Sequence, residues 1–180
     1  AGEVVDRPSS AVKELVENSI DAGATAITIE IENGGIDCIR IIDNGAGIAD
    51  EDCETAFLRH ATSKISTAND LFAIRSLGFR GEALASIAAI SRVTLQTQTV
   101  EDELGSLIRY EGGELVEHKR TAGTRGTSVE VRDLFYNVPA RLKFIKSSRA
   151  ESASIWDYIA RLILSVPQIS VHFVNGGKTV

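Results

Sequence analysis

"AITIEIENGGIDCIRIID", residues 26–43, decides the fold. Apolar and polar residues alternate strictly from Ala26 to Glu32, as in a strand buried on one face. Asn33-Gly34-Gly35 is tight-turn chemistry, because these residues tolerate positive φ. The run from Asp37 to Asp43 then returns beside the first as the second strand of a hairpin. A hairpin makes the early sheet antiparallel, which excludes a doubly wound dinucleotide-binding fold.

Upstream, "AVKELVENSIDAGA" (11–24) predicts an amphipathic helix, with Val12, Leu15, Val16 and Ile20 on the stripe that faces a core. Glu14, Asn18 and Asp21 fall together on the opposite side. A solvated face is the ordinary explanation of that pattern. Asparagine is nonetheless a poor helix former, since its amide competes with the backbone for hydrogen bonds. A face needed only for solubility would more naturally carry Lys, Gln or Glu.

Downstream, "ADEDCETAFLRHA" (49–61) and "ANDLFAI" (68–74) predict helices. A glycine-bearing loop, "SLGFRG", leads into "EALASIAAI", a helix with an acidic first turn. Strand patterns follow at 92–99, 104–110, 114–119 and 127–135, with Gly112-Gly113 turning between two of them. "PARLKFI" and "ESASIWDYIARLIL" predict helices, the first opened by Pro139, and "ISVHFVNGGKTV" predicts a hairpin interrupted at its second strand. The sum is a two-layer α/β (α+β) sandwich, helices on a mixed, mostly antiparallel sheet.

The 180 residues suffice for one sizeable core, and no apolar run is long enough to span a bilayer. No secretory signal opens the chain. With no methionine and the opening "AGEVVDRP", it reads as a single domain, 1–180, excised from something longer. Cys38 and Cys53 lack metal-ligand spacing and read as buried free thiols, which fits a reducing compartment. His60, His118 and His172 are scattered and receive no chemical role. The net charge is −6, yet residues 119–149 hold eight cations (Lys119, Arg120, Arg125, Arg132, Arg141, Lys143, Lys146, Arg149) against Glu130 and Asp133. Such asymmetry marks either a nucleic-acid or acidic-partner surface, or chance clustering on a solvated face.

Four stretches place glycine, hydroxyl or acid groups where an element ends. In "DNGAGI" (43–48), Asp43 closes a strand, and Gly45 and Gly47 leave room for a ligand against the backbone. An EF-hand is excluded because its third and fifth positions are glycines, and a Rossmann fingerprint because the third glycine is missing. "HATSK" (60–64) brings Thr62, Ser63 and Lys64 out of a helix. "GFRGEAL" (78–84) sets two glycines around Phe79-Arg80 before a helix start, whose N–H groups and the Arg80 cation favour phosphate; it is not a P-loop. In "GTRGTSVEV" (123–131), Gly126-Thr127 opens a strand. Each alone is also an ordinary turn or cap.

In order, Glu14-x3-Asn18, "DNGAGI", "ATSK…GFRGEAL" and "GT" resemble the four nucleotide-binding motifs of the GHKL (Bergerat-fold) ATPase superfamily. "AGEVVDRPSSAVKELVENSIDAGA", "RHATSKI", "SLGFRGEALASI" and "DLFYNVPARLKF" further resemble the amino-terminal ATPase region of MutL-type DNA mismatch repair proteins, over residues 1 to about 165.

The resemblance implies an ATPase using ATP and Mg²⁺. It implies Glu14 as the base for the attacking water and Asn18 as a neutral oxygen ligand of Mg²⁺. Asp43 is implied as acceptor for the adenine amino group, with Gly45 and Gly47 beneath the purine and Ala22 and Thr127 near the base. Thr62, Ser63, Gly78, Phe79, Arg80, Gly81, Glu82, Ala83 and Leu84 are implied around the nucleotide, the 78–84 stretch as a lid over the triphosphate. It further implies an ATP-operated dimeric clamp that contacts DNA, weakly and mostly nonspecifically, and mismatch-recognition and downstream repair proteins. The setting it implies is cytoplasmic and nucleoid-associated in a bacterium, or nuclear in a eukaryote. Family members also carry a segment ahead of "AGEVV" and a further domain supplying a lysine to the γ-phosphate, so this piece is expected to bind nucleotide poorly and to turn it over slowly or not at all. Competing readings are a chaperone, a type II topoisomerase subunit or a histidine kinase of the same fold, or a nonhydrolysing module binding DNA or a partner through residues 119–149.

Overall fold

The computed structural model describes residues 5–58 and 82–180. The hairpin forms as expected. Strand β1 (Ala26–Glu32) pairs antiparallel with β2 (Cys38–Asp43), in register Ile27 to Asp43 and Ile31 to Ile39. The turn is a single 3-10 turn, Asn33–Gly35, with Asn33, Gly34 and Gly35 all at positive φ. Gly35 has no room for a side chain, because a Cβ there would lie 2.8 Å from Cβ of Pro8.

Six further strands complete the sheet: β3 (Arg92–Gln98), β4 (Gly105–Glu111), β5 (Glu114–Thr121), β6 (Gly126–Arg132), β7 (Ser170–Asn175) and β8 (Lys178–Thr179). The order is β5-β4-β3-β6-β2-β1-β7-β8. Every pairing is antiparallel except β1 with β7, which is parallel and makes the sheet mixed. Helices α1 (Pro8–Asp21), α2 (Ala83–Ala89), α3 (Pro139–Leu142) and α4 (Ser148–Ser165) accompany it.

Pro8 opens α1 at a position whose N–H would be unsatisfied anyway, and Ala11, Val12, Leu15 and Val16 are buried, as the spacing predicts. The core joins these residues to the inward side chains of alternate strand positions: Ile27, Ile29 and Ile31, Ile39 and Ile41, Val93 and Leu95, and Val129 and Val131. The opposite face of the sheet carries charge, where Glu30 pairs with its cross-strand partner Arg40 and Glu130 with Arg132 two residues along the same strand. The Ser147 hydroxyl accepts from the Ala150 N–H and starts α4 three residues ahead of the predicted "ESAS".

Two local expectations are corrected. Among the described residues of 49–61 there is no α-helix, only the 3-10 turns Asp50–Asp52 and Thr55–Phe57, after which Leu58 is extended. The polar residues that look solvent-facing in the sequence are bound instead to the sheet. Asp50 accepts from the Ser106 hydroxyl at 2.6 Å, and Asp50 and Glu54 each lie 2.9 Å from a ring nitrogen of His118. Phe57 stacks on Tyr110 at 4.3 Å between centroids. Tertiary contacts override helix propensity here. Secondly, the strand predicted over 127–135 ends at Arg132. Asp133 and Phe135 take positive φ, and Phe135 is buried with its N–H donating to the carbonyl of Ile90 at 2.7 Å.

The helix predicted at 68–74 and the motif residues Thr62, Ser63, Gly78, Phe79, Arg80 and Gly81 lie outside the described residues. Both cysteines are buried free thiols, and desolvation pushes Cys38 up to about 11 and Cys53 up to about 12. The cations of 119–149 are spread over several elements. Lys119 pairs with Glu117 on the edge strand β5, Arg132 pairs with Glu130 on the interior strand β6, and Arg141, Lys143, Lys146 and Arg149 lie in and after α3.

Candidate nucleotide site

The alternation of β2 sets the site. Ile39 and Ile41 point into the core, so Asp43, two residues further, brings a carboxylate to the same side at the strand's end. There Oδ2 accepts from the Ser19 hydroxyl at 2.6 Å and Oδ1 from the Gly45 N–H at 2.8 Å. Burial raises the Asp43 carboxyl above its ordinary value, while the bonds from Ser19, Gly45 and the Thr127 backbone act in the opposite sense and favour the charged form.

The loop after Asp43 is tied down on both sides. Asn44 Oδ1 accepts from the N–H groups of Thr25 and Ala26. Ala46 N–H reaches the Ala22 carbonyl at the end of α1, and Ile48 N–H reaches the Thr97 hydroxyl on β3. Gly47 is at positive φ, and a Cβ on it would run into the backbone carbonyl of Gln98. The glycines are thus demanded first by protein packing. Gly45 does not line the cavity described next; a Cβ there would meet the Ala22 carbonyl at 2.9 Å.

Beside this carboxylate lies a small cavity, partly open to solvent. Its wall is mostly apolar, built from Leu15, Ile41, Ile48, Leu84, Leu95 and Val129, and its polar groups are Asn18, Ser19, Asp43 and Thr127. A concave, mostly apolar wall with a few convergent polar groups is the ordinary form of a small-molecule site. Among the predicted site residues, Asn18, Ala22, Asp43, Gly47, Leu84 and Thr127 come together here. Glu14 does not line this cavity. It sits one turn before Asn18 on α1 and is only 6% exposed, whereas Asp21, at the end of the same face, is exposed. Glu82 caps α2 and Ala83 begins it, and neither lines the cavity.

Asn18 Oδ1 is buried and accepts no hydrogen bond among the described residues. A neutral, unspent oxygen is a fitting ligand for Mg²⁺, which takes few protein groups and keeps waters. Among the described residues no cluster of three His, Cys, Asp or Glu could hold a metal by itself.

Sequence reasoning missed Ser19 and Thr97. Ser19 follows Asn18 directly, and Thr97 takes the inward position after Val93 and Leu95, where a third apolar residue would be expected. That lone hydroxyl in an apolar row was the available signal.

Residues 6–128 match the family model described as histidine kinase-, DNA gyrase B- and HSP90-like ATPase, and the chain belongs to that family. Within it the likeness is to MutL mismatch repair proteins. The chain is 56% identical over 181 residues to the DNA mismatch repair protein MutL of Clostridium acetobutylicum, covering 100% of this chain and 29% of that protein. It is 53% identical over 178 residues to MutL of Streptococcus sanguinis, covering 99% and 28%. Among solved structures, the Aquifex aeolicus MutL ATPase domain complexed with ADP superposes with a TM-score of 0.80 at 32% identity, covering 98% of this chain and 63% of that one. The chain thus spans about 29% of the length of the curated relatives it matches.

Proposed function

We propose that this chain is the ATP-binding and hydrolysing region of a MutL-type mismatch repair protein. The observation that carries the reading is Asp43, a carboxylate held as an acceptor at the edge of an apolar cavity. Adenine fits that arrangement, because its ring is flat and largely apolar and its exocyclic amine donates. The ADP complex of the Aquifex aeolicus relative supports the assignment.

Asn18 Oδ1 would hold Mg²⁺, which supplies charge neutralisation to the phosphate oxygens when bound. Glu14 takes the proton of a water whose oxygen attacks the γ-phosphorus, as the bond from that phosphorus to the bridging oxygen of ADP breaks. Its burial beside Asn18 on one helix face supports a role directed at the bound triphosphate. Thr62, Ser63 and residues 78–81 are assigned to the nucleotide by their motifs alone.

In the longer protein the binding of ATP orders a clamp of two copies, engages DNA and repair partners, and is reset by hydrolysis.

The test is a titration with a nonhydrolysable ATP analogue and Mg²⁺, read by line broadening of resonances from Asp43, Gly47 and Thr127. Saturable shifts at those positions, absent with a pyrimidine triphosphate, support the reading. Shifts confined to other surfaces contradict it.

A further inference from the structure

We propose that Thr97 fixes the direction of the Thr127 hydroxyl and thereby makes the cavity select a purine bearing a 6-amino group. The proposal rests on the adenine site proposed above and assigns its specificity to a residue outside the cavity lining.

Thr97 is 3% exposed, and its hydroxyl oxygen has three neighbours at hydrogen-bond distance. The Ile48 N–H lies at 2.8 Å, the Gly126 carbonyl at 3.1 Å and the Thr127 hydroxyl at 2.9 Å. A threonine hydroxyl has one proton to give and two lone pairs to receive with. The amide can only donate and the carbonyl can only accept. Thr97 therefore spends its proton on Gly126 and one lone pair on Ile48, which leaves one lone pair for Thr127. Only one arrangement satisfies all three contacts, and in it Thr127 is the donor.

The consequence appears in the cavity. With its proton turned to Thr97, Thr127 has only lone pairs left for a ligand. The Ser19 proton is likewise spent on Asp43 Oδ2. Asp43, Ser19 and Thr127, all lining one cavity, then present acceptors. An exocyclic amine offers two N–H donors to such a wall, whereas a keto oxygen would meet lone pairs. A buried polar group left facing the wrong partner is costly, which is how such a wall discriminates.

The experiment compares Mg²⁺ complexes of ATP and of purine riboside triphosphate, which carries hydrogen in place of the 6-amino group. Wild type prefers ATP. Thr97→Val frees the Thr127 proton and reduces that preference about five- to tenfold, while affinity for purine riboside triphosphate stays within about twofold. Thr97→Ser restores the preference. Thr127→Val loses it without disturbing the bond to Ile48, and adding Thr97→Val to that variant removes nothing further. The proposal is overturned if Thr97→Val weakens both nucleotides equally, leaves the preference intact, or multiplies the loss of Thr127→Val. Should wild type bind neither nucleotide, the adenine site itself fails. A wild-type preference for ATP that survives Thr97→Val removes only the role of Thr97.

Discussion

The Ser19 hydroxyl donates to Oδ2 of Asp43 at 2.6 Å, joining the last turn of α1 to the end of β2. That bond aims the carboxylate and helps keep it ionised against the burial that raises its pKa.

Ser19→Ala therefore weakens ATP about tenfold or more at neutral pH, the scale of one hydrogen bond to a charged group. The defect is also pH-dependent. The ionised Asp43 is the stronger acceptor for the adenine amine, so the affinity ratio of ATP to purine riboside triphosphate falls as pH drops through the Asp43 pKa, which burial holds above its ordinary value. Removing Ser19 moves that midpoint higher still. A midpoint unchanged between wild type and Ser19→Ala would remove Ser19 from this role.

Glu14→Gln keeps the shape of a buried side chain and removes the base. Turnover, measured at saturating ATP in a MutL-type protein long enough to hydrolyse it, drops by about 10² to 10⁴, the range of general-base contributions. The dissociation constant for ATP changes little. A parallel loss of binding and turnover would assign Glu14 to binding instead.

His118 is held between Glu54 and Asp50, and its pKa is raised chiefly by the bond to Glu54 and then by Asp50. Both ring nitrogens donate only in the imidazolium form. The stability gained is full below the unfolded value near 6.5 and is lost as pH climbs through the raised folded value. His118→Gln accordingly costs about 1–2 kcal/mol at pH 6 and much less at pH 9, by urea unfolding at the two pH values. An equal cost at both would show that the charge contributes nothing.

The hairpin was legible because period-two alternation and an Asn-Gly-Gly turn agree with each other over eighteen residues. The place of Asp43 followed from it, since the same alternation that buries Ile39 and Ile41 turns Asp43 inward. Asn18 stood out as a costly residue on a helix face, and the cavity supplies a reason for it. The 49–58 turns were not legible, because their partners Ser106, Tyr110 and His118 lie about fifty or more residues away. Local propensity carries no trace of such contacts. The parallel pairing of β7 with β1 is likewise set by the return of α4 across the sheet, which no local pattern encodes. Thr97 escaped notice because a threonine suits a strand without any special reason.

Asp43→Asn tests the central claim most directly, through a calorimetric titration with ATP and Mg²⁺ beside a thermal melt. Burial raises the folded-state pKa of Asp43, so the ionised carboxyl disfavours the folded state above its unfolded value, and a neutral amide relieves that cost. The variant should therefore melt no lower than wild type at pH 7. It should also bind ATP at least tenfold more weakly, because the amide can turn a donor toward the adenine amine. A stable Asp43→Asn protein that binds ATP with wild-type affinity would contradict the account.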